Sequence, residues 1–129
     1  MANTPEEWMR QADYDFDTAM VMFDSGRYFY AVFMCHLSVE KALKAVNLAH
    51  HKLPPPKTHN LVLLAELLPF SASEEQTNFL FNLSRANVAT RYPEEISSLM
   101  AEFSESKTRE MLKQGREIVQ WLKSELTKL

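Results

Sequence analysis

The sequence predicts an all-α fold, an up-and-down bundle of four long helices with one or two short ones. Apolar residues recur at steps of three and four along most of the chain, which is the period of an amphipathic helix. Only two glycines occur in 129 residues, and strand-like alternation bounded by turns is absent. This length and an apolar content of 46% are typical of one folded domain, which we assign to residues 1–129.

The first two helices are the best defined by their sequence. Thr4, Pro5 and Glu7 form a capping pattern, in which Thr4 accepts a bond from a backbone N–H and Glu7 returns one. The first helix should then end near Gly26, because glycine accepts the left-handed conformation of a helix terminus. The second helix, predicted over about 27–50, is apolar on two faces. Such a helix contacts several neighbours, so we expect it to be central.

Prolines and capping residues divide the middle of the chain. The prolines at 54–56 cannot continue a helix. Thr58 is expected to cap a third helix that runs to Leu68, and Ser73 opens a capping box for a fourth. Pro93 breaks the ambiguous stretch that follows, and a last helix is predicted over about 105–129.

The net charge of −3 argues against a general, salt-driven nucleic-acid binder. The charge is unevenly distributed, since residues 5–24 carry six acids against one arginine. Residues 106–129 carry an excess of lysine and arginine instead. The acidic first helix and the basic last helix can therefore lie side by side.

Several classes of site and location are disfavoured. The sequence shows no signal-peptide pattern and no apolar stretch long enough to cross a membrane, so we expect a cytoplasmic protein. The single cysteine, Cys35, excludes an internal disulfide and lies in an apolar run typical of a buried residue. Asp13, Asp15 and Asp17 point to different sides of a helix, and the histidines lack zinc-site spacing. We expect no metal and no cofactor, and we assign no catalytic residue.

One polar row interrupts the apolar second helix. It consists of His36, Glu40, Lys44 and Asn47, whose spacing of four, four and three places them on one side. A buried unpaired charge is costly, so these groups need partners. Two interpretations remain open: a local ladder with Glu40 bonded between His36 and Lys44, or a row that faces a cleft or a second subunit.

A basic cluster follows in the ambiguous stretch. Arg85 and Arg91 lie within seven residues, and Tyr92 comes next to a proline. The arginine fork suits a phosphate group, and tyrosine can stack on a base. Single arginines more often only solubilise a surface, so this cluster is a hypothesis for anion binding.

The order of several short motifs resembles the HEPN family, small helical domains of prokaryotes. The motifs are residues 28–31, residues 38–45, the segment from Thr58 to Leu61 after the proline-rich loop, the turn at 91–93 and a long last helix. The resemblance implies a bundle that pairs as a homodimer, with a polar cleft near the pairing surface. It implies one of two activities: a metal-independent ribonuclease, often a toxin checked by a nucleotidyltransferase, or a module that binds nucleotides or assists such a partner without cutting.

The ribonuclease branch of the family carries an arginine followed, after four to six residues, by a histidine. No arginine of this sequence has a histidine at that spacing. We therefore favour a dimeric, non-hydrolytic module for nucleotides, RNA or a related anionic ligand, with a nucleotidyltransferase as a further candidate partner. The candidate ligand-binding residues are His36, Glu40, Lys41, Lys44, His59, Arg85, Arg91 and Tyr92.

Two other functions stay open. The chain can be an adaptor in a toxin–antitoxin-like pair, whose outer helix contacts a separate nucleotidyltransferase. It can also be a ribonuclease with an atypical base, His36 or His59, contributed across a dimer. Cleavage of RNA that is lost when that histidine is replaced would identify the second case.

Overall fold

The computed structural model describes residues 3–89 and 93–129, and the regular structure in these ranges is helical. Its helices are α1 (Pro5–Asp24), α2 (Tyr28–His51), α3 (Leu61–Glu66), α4 (Glu74–Ala89), α5 (Pro93–Glu102) and α6 (Glu105–Leu126). Helices α1, α2, α4 and α6 are long, and α3 and α5 are short. The predicted all-α bundle of four long helices and two short ones is confirmed.

Helix α2 lies at the centre because it is apolar on more than one side. It contacts each of the other five described helices, as its two apolar faces predict. Val32, Val39 and Val46 on one of its faces are fully buried. Burying a side chain of this size contributes roughly 1.5–3 kcal/mol to folding, so α2 supplies much of the core.

The helix caps largely follow the predicted pattern. The backbone N–H of Glu7 donates to Thr4 Oγ1 over 3.1 Å, but the Glu7 carboxylate turns to Arg10 instead of returning the bond. The second capping box, at Ser73, is complete. The N–H of Gln76 donates to Ser73 Oγ over 3.0 Å, and the N–H of Ser73 donates to Gln76 Oε1 over 2.8 Å.

The third helix is shorter than predicted, and its predicted cap is wrong. Asn60, not Thr58, is the N-cap, since Asn60 Oδ1 accepts from the N–H of Leu63 over 3.1 Å. Thr58 Oγ1 accepts from the N–H of Asn60 over 3.1 Å and so forms a turn before the helix. His59 therefore lies outside the helix, in the segment that approaches α2.

Helices α1 and α6 lie against each other, as their opposite charge predicts. Lys123 Nζ on α6 donates to both carboxylate oxygens of Asp13 on α1 over 2.8 Å.

In the described part of the chain, none of the helices has the length and apolar character needed to span a lipid bilayer.

Helix α6 packs tightly on α2 at Gly115. A Cβ atom added at this glycine would lie 2.3 Å from Cys35 Sγ, far inside van der Waals contact. Cys35 is fully buried, as predicted, and burial raises the pKa of its thiol to about 12. Only a residue without a side chain lets α6 pack this closely on α2.

We expect Gly115→Ala to destabilise the protein by about 1–3 kcal/mol, because the new methyl group overpacks the core. This loss of stability is the opposite of the usual effect, since replacing glycine with alanine inside a helix normally stabilises it by roughly 1 kcal/mol. The free energy of unfolding in urea measures the effect. In a Cys35→Ala background, which lacks the sulfur atom, the same substitution should cost less. An equal cost in both backgrounds would contradict the contact as its cause.

Candidate functional site

The polar row on α2 is buried against the rest of the bundle. His36, Glu40, Lys44 and Asn47 face the same side, and none of them is more than 7% exposed. Helical spacing predicted the shared side from the sequence. The row reaches α3 at its end, because Asn47 Nδ2 donates to the backbone oxygen of Leu64 over 3.0 Å. It is thus a buried polar network and not a solvated helix face.

The carboxylate of Glu40 is the centre of this network. Its Oε2 accepts from Lys44 Nζ over 3.1 Å, and its Oε1 accepts from His59 Nδ1 over 2.9 Å. Lys44 Nζ also lies 5.5 Å from the ring centroid of Trp8 on α1. A buried carboxylate is tolerated only when it is paired and hydrogen-bonded, and here both of its oxygens have partners.

His36 is a fully buried, neutral member of the network. Its Nε2–H donates to the backbone oxygen of His59 over 3.2 Å, since a carbonyl oxygen can only accept. Its Nδ1 lies 3.8 Å from Glu40 Oε1 and has no hydrogen-bond partner among the described residues. Burial lowers the pKa of His36 below its ordinary value, although the nearby Glu40 charge opposes this.

His59 is the member of the network that reaches the surface. Its side chain is 50% exposed, while its Nδ1–H is bound to Glu40. This bond fixes the tautomer, so the other ring nitrogen, Nε2, carries the free lone pair. Because its backbone oxygen also binds His36, the segment that carries His59 is held against α2 at two points.

His59 lies in an open groove between this segment and α4, which we call the His59 groove. The groove has a volume of about 720 Å³ and is lined in part by Lys57, His59, Val62, Phe81, Ser84 and Arg85. Phe81 is 65% exposed, which is unusual for an aromatic residue. The groove thus combines basic groups with one exposed ring.

Lys57 and Phe81 are among the groove residues that the sequence reasoning missed. Lys57 follows the prolines at 54–56 and gave no signal of its own. Phe81 gave a signal that could have been used, because it falls between the core residues Leu80 and Leu83 but off their apolar side. An aromatic residue on the polar side of an amphipathic helix is a candidate contact residue.

The other predicted site residues are placed as follows. Lys41 points away from the network, and its Nζ lies 2.8 Å from Asp15 Oδ2 on α1. Neighbours in a helix are rotated by about 100°, so Lys41 and Glu40 cannot share a direction. Arg85 lies in the groove and donates to Glu102 over 3.2 Å. The predicted residues Arg91 and Tyr92 lie outside the described residues.

The local-ladder interpretation of the polar row describes part of the arrangement. Glu40 does bond to Lys44 within the helix, as a local ladder requires, whereas His36 stays beyond hydrogen-bond distance. None of the four row residues lines the His59 groove, and Glu40 is linked to that groove through its hydrogen bond with His59. A ligand in the groove would therefore sense Glu40 indirectly, through the imidazole that Glu40 orients.

The pH dependence of stability should report the burial of His36. Because burial lowers its pKa, the unfolded chain binds a proton that the folded chain does not once the pH falls below the ordinary value of 6.5. The stabilisation is therefore present above pH 6.5 and is lost as the pH falls towards the lowered folded pKa. We expect His36→Gln to flatten the pH dependence of the unfolding free energy between about pH 7 and pH 5.

Urea unfolding at a series of pH values measures this dependence. His50→Gln is the matched control, because His50 is exposed at the end of α2. An unchanged pH slope in His36→Gln would show that another group causes the acid sensitivity.

Comparison with known proteins places this geometry in a family. A family model of the HEPN domain matches residues 5–126 of the chain. Among solved structures, the protein is similar to ST0689, an archaeal HEPN homologue, with a TM-score of 0.79 and 20% identity over 97% of this chain and 99% of that one. It is also similar to TT1696 from Thermus thermophilus, with a TM-score of 0.81 and 22% identity over 95% of this chain and 98% of that one.

The two structural neighbours share the fold over nearly their whole length. A comparison with curated proteins finds no match. The family match covers almost the entire chain, and it agrees with the resemblance seen in the sequence motifs. The chain therefore belongs to the HEPN domain family.

Proposed function

We propose that this HEPN-family protein binds nucleotides or related organic anions in the His59 groove without cleaving them. The observation that carries the proposal is that Lys57, His59 and Arg85 line one groove together with the exposed side chain of Phe81. Ammonium and guanidinium groups bind phosphate through charge-assisted hydrogen bonds. An exposed aromatic ring is a surface on which a base can stack.

The proposal includes pairing with a second copy of the chain and contact with a nucleotidyltransferase. The family resemblance implies both partners. Large apolar side chains on the surface of the single chain, including Tyr14, Val21 and Phe81, supply apolar area for such contacts. Light scattering tests the homodimer. Co-purification with a nucleotidyltransferase encoded in a neighbouring reading frame tests the second partner.

Calorimetric titration with ATP, GTP and a short RNA tests the binding. We expect saturable binding that weakens with added salt, because the proposed contacts are between exposed charges. Arg85→Ala should weaken binding about tenfold or more, since a hydrogen bond to a charged group contributes roughly 1.5–3 kcal/mol. Arg10→Ala is the matched control, because Arg10 is an exposed arginine on α1 that pairs with Glu7.

Two outcomes would contradict this proposal. The absence of saturable binding to all three ligands at millimolar concentration removes it altogether. Equal losses in Arg85→Ala and Arg10→Ala would show that net charge, and not the groove, governs the affinity.

A specific observation also favours a second candidate function, a ribonuclease that uses His59 as an atypical base. The Glu40 carboxylate accepts from His59 Nδ1, so Nε2 is available to remove a proton. A carboxylate that orients a histidine in this way is a recurring catalytic arrangement. His36, the other candidate base, is fully buried and bonded to a backbone oxygen, which argues against it.

Incubation of purified protein with RNA in the presence of a chelator tests the second candidate. If it is correct, cleavage persists in the chelator and falls about 10²–10⁴-fold in His59→Ala, the usual contribution of an acid–base group. Glu40→Gln should also lower the rate, because it removes the charge that supports the imidazolium. His50→Ala is the control, and RNA that stays intact with wild-type protein excludes this function.

A further inference from the structure

A second concave surface lies between α4 and α6, and we call it the α4–α6 cleft. It has a volume of about 680 Å³. Its floor consists of the buried apolar side chains of Phe79, Phe103 and Met111. Its rims carry the exposed amide groups of Asn78 and Asn82, which can both donate and accept hydrogen bonds. A flat, largely apolar body with polar edges would fit such a surface.

The two ends of the cleft differ in charge. Arg85 and Lys107 lie at one end, whereas Glu74 and Glu75 belong to the first turn of α4. At a rise of 1.5 Å per residue, ten residues of helix separate Glu75 from Arg85 by about 15 Å. An anionic group is therefore attracted to the Arg85 end and repelled from the other. The charge sets the orientation of any ligand that carries one anionic group.

The basic end of the cleft already holds an anion, the carboxylate of Glu102. Lys107 Nζ donates to its Oε1 over 3.0 Å, and Arg85 Nη2 donates to its Oε2 over 3.2 Å. The hydrogen bond from Lys107 and the Arg85 charge lower the pKa of Glu102, so it stays ionised at neutral pH. Its side chain is 29% exposed, so water reaches it and it can leave.

A phosphate group can replace this carboxylate and still give Arg85 and Lys107 a negative charge and hydrogen-bond acceptors. A phosphate monoester has a charge between about −1.5 and −2 and three acceptor oxygens, so it satisfies the same donors at least as well. The displaced Glu102 carboxylate would return to water, which solvates it without a penalty of burial. Since Glu102 is the last residue of α5, the exchange would also release α5 from Arg85 on α4 and Lys107 on α6.

We propose that the α4–α6 cleft binds an organic phosphate with a flat body, such as a nucleoside monophosphate, whose phosphate replaces the Glu102 carboxylate on Arg85 and Lys107. The flat body lies along the apolar floor at Phe79 and Met111 and meets the rim amides, while Lys107 Nζ lies 5.4 Å from the Phe103 ring centroid and faces the phosphate. This inference rests on the proposed function in one respect, because Arg85 also lines the His59 groove. Lys107 and Glu102 distinguish the two sites, since neither lines that groove.

Titration with AMP, followed by calorimetry, tests the proposal on the full chain. Glu102→Gln should tighten AMP binding about twofold to fivefold, the usual range for removing a competing exposed ion pair. Lys107→Gln should weaken it by a similar factor, although Glu102 would still be held by Arg85. Glu125→Gln is the matched control, because it removes the same charge from an ion pair with Lys128 at the far end of α6.

The outcomes separate this inference from the proposed function. If Glu102 only joins the helices, Glu102→Gln binds AMP no more tightly than wild type, and the inference fails. Binding of ATP that is lost in Lys57→Gln would still support the His59 groove in that case. If AMP binds the wild-type chain and binds Glu102→Gln more tightly, while Lys57→Gln leaves ATP binding unchanged, the cleft is supported and the His59 groove fails. If AMP binds only to Glu102→Gln, the wild-type carboxylate is not displaced and the inference fails. If neither AMP nor ATP binds any variant, both fail.

Thermal unfolding of each variant shows whether it is folded at the titration temperature. Lys107→Gln keeps the bonds between Arg85 and Glu102, so it remains a test if Glu102→Gln does not fold. Unchanged AMP affinity in Lys107→Gln would likewise overturn the inference.

Discussion

The buried carboxylate of Glu40 joins three segments that are distant in the sequence. It binds Lys44 within α2 and His59 in the segment before α3, while the Trp8 ring of α1 covers Lys44. Removing one partner of a buried ion pair typically costs about 3–5 kcal/mol, because it leaves the other charge unpaired. The position of His59, and with it the shape of the groove, therefore depends on a charge that no ligand can touch directly.

Much of the fold could be predicted because local chemistry determines it. The apolar period fixes the helices, and the box at Ser73 forms through atoms only three residues apart. The third helix shows the limit. Thr58 and Asn60 are both good capping residues, and the bond from His36 to the backbone of His59 helps to hold the intervening segment outside the helix. A contact across 23 residues cannot be read from either capping residue alone.

Less of the candidate site could be predicted, because its side chains pair with residues that are distant in the sequence. Helical spacing correctly placed Glu40 and Lys44 on one side of α2, but it could not say that Glu40 would pair with His59. Lys41 was grouped with its sequence neighbour, although its direction along the helix sends it to Asp15. In each case the residue type was informative, whereas the partner belonged to a different element of the fold.

The close packing of α6 on α2 at Gly115 has a consequence for the chemistry of Cys35. Only the thiolate reacts readily with alkylating reagents, and this thiol is both shielded by the helix backbone and strongly resistant to ionisation. Its modification requires α6 to lift from α2, which exposes much of the core at the same time. The rate at which Cys35 is alkylated therefore measures how often the bundle opens.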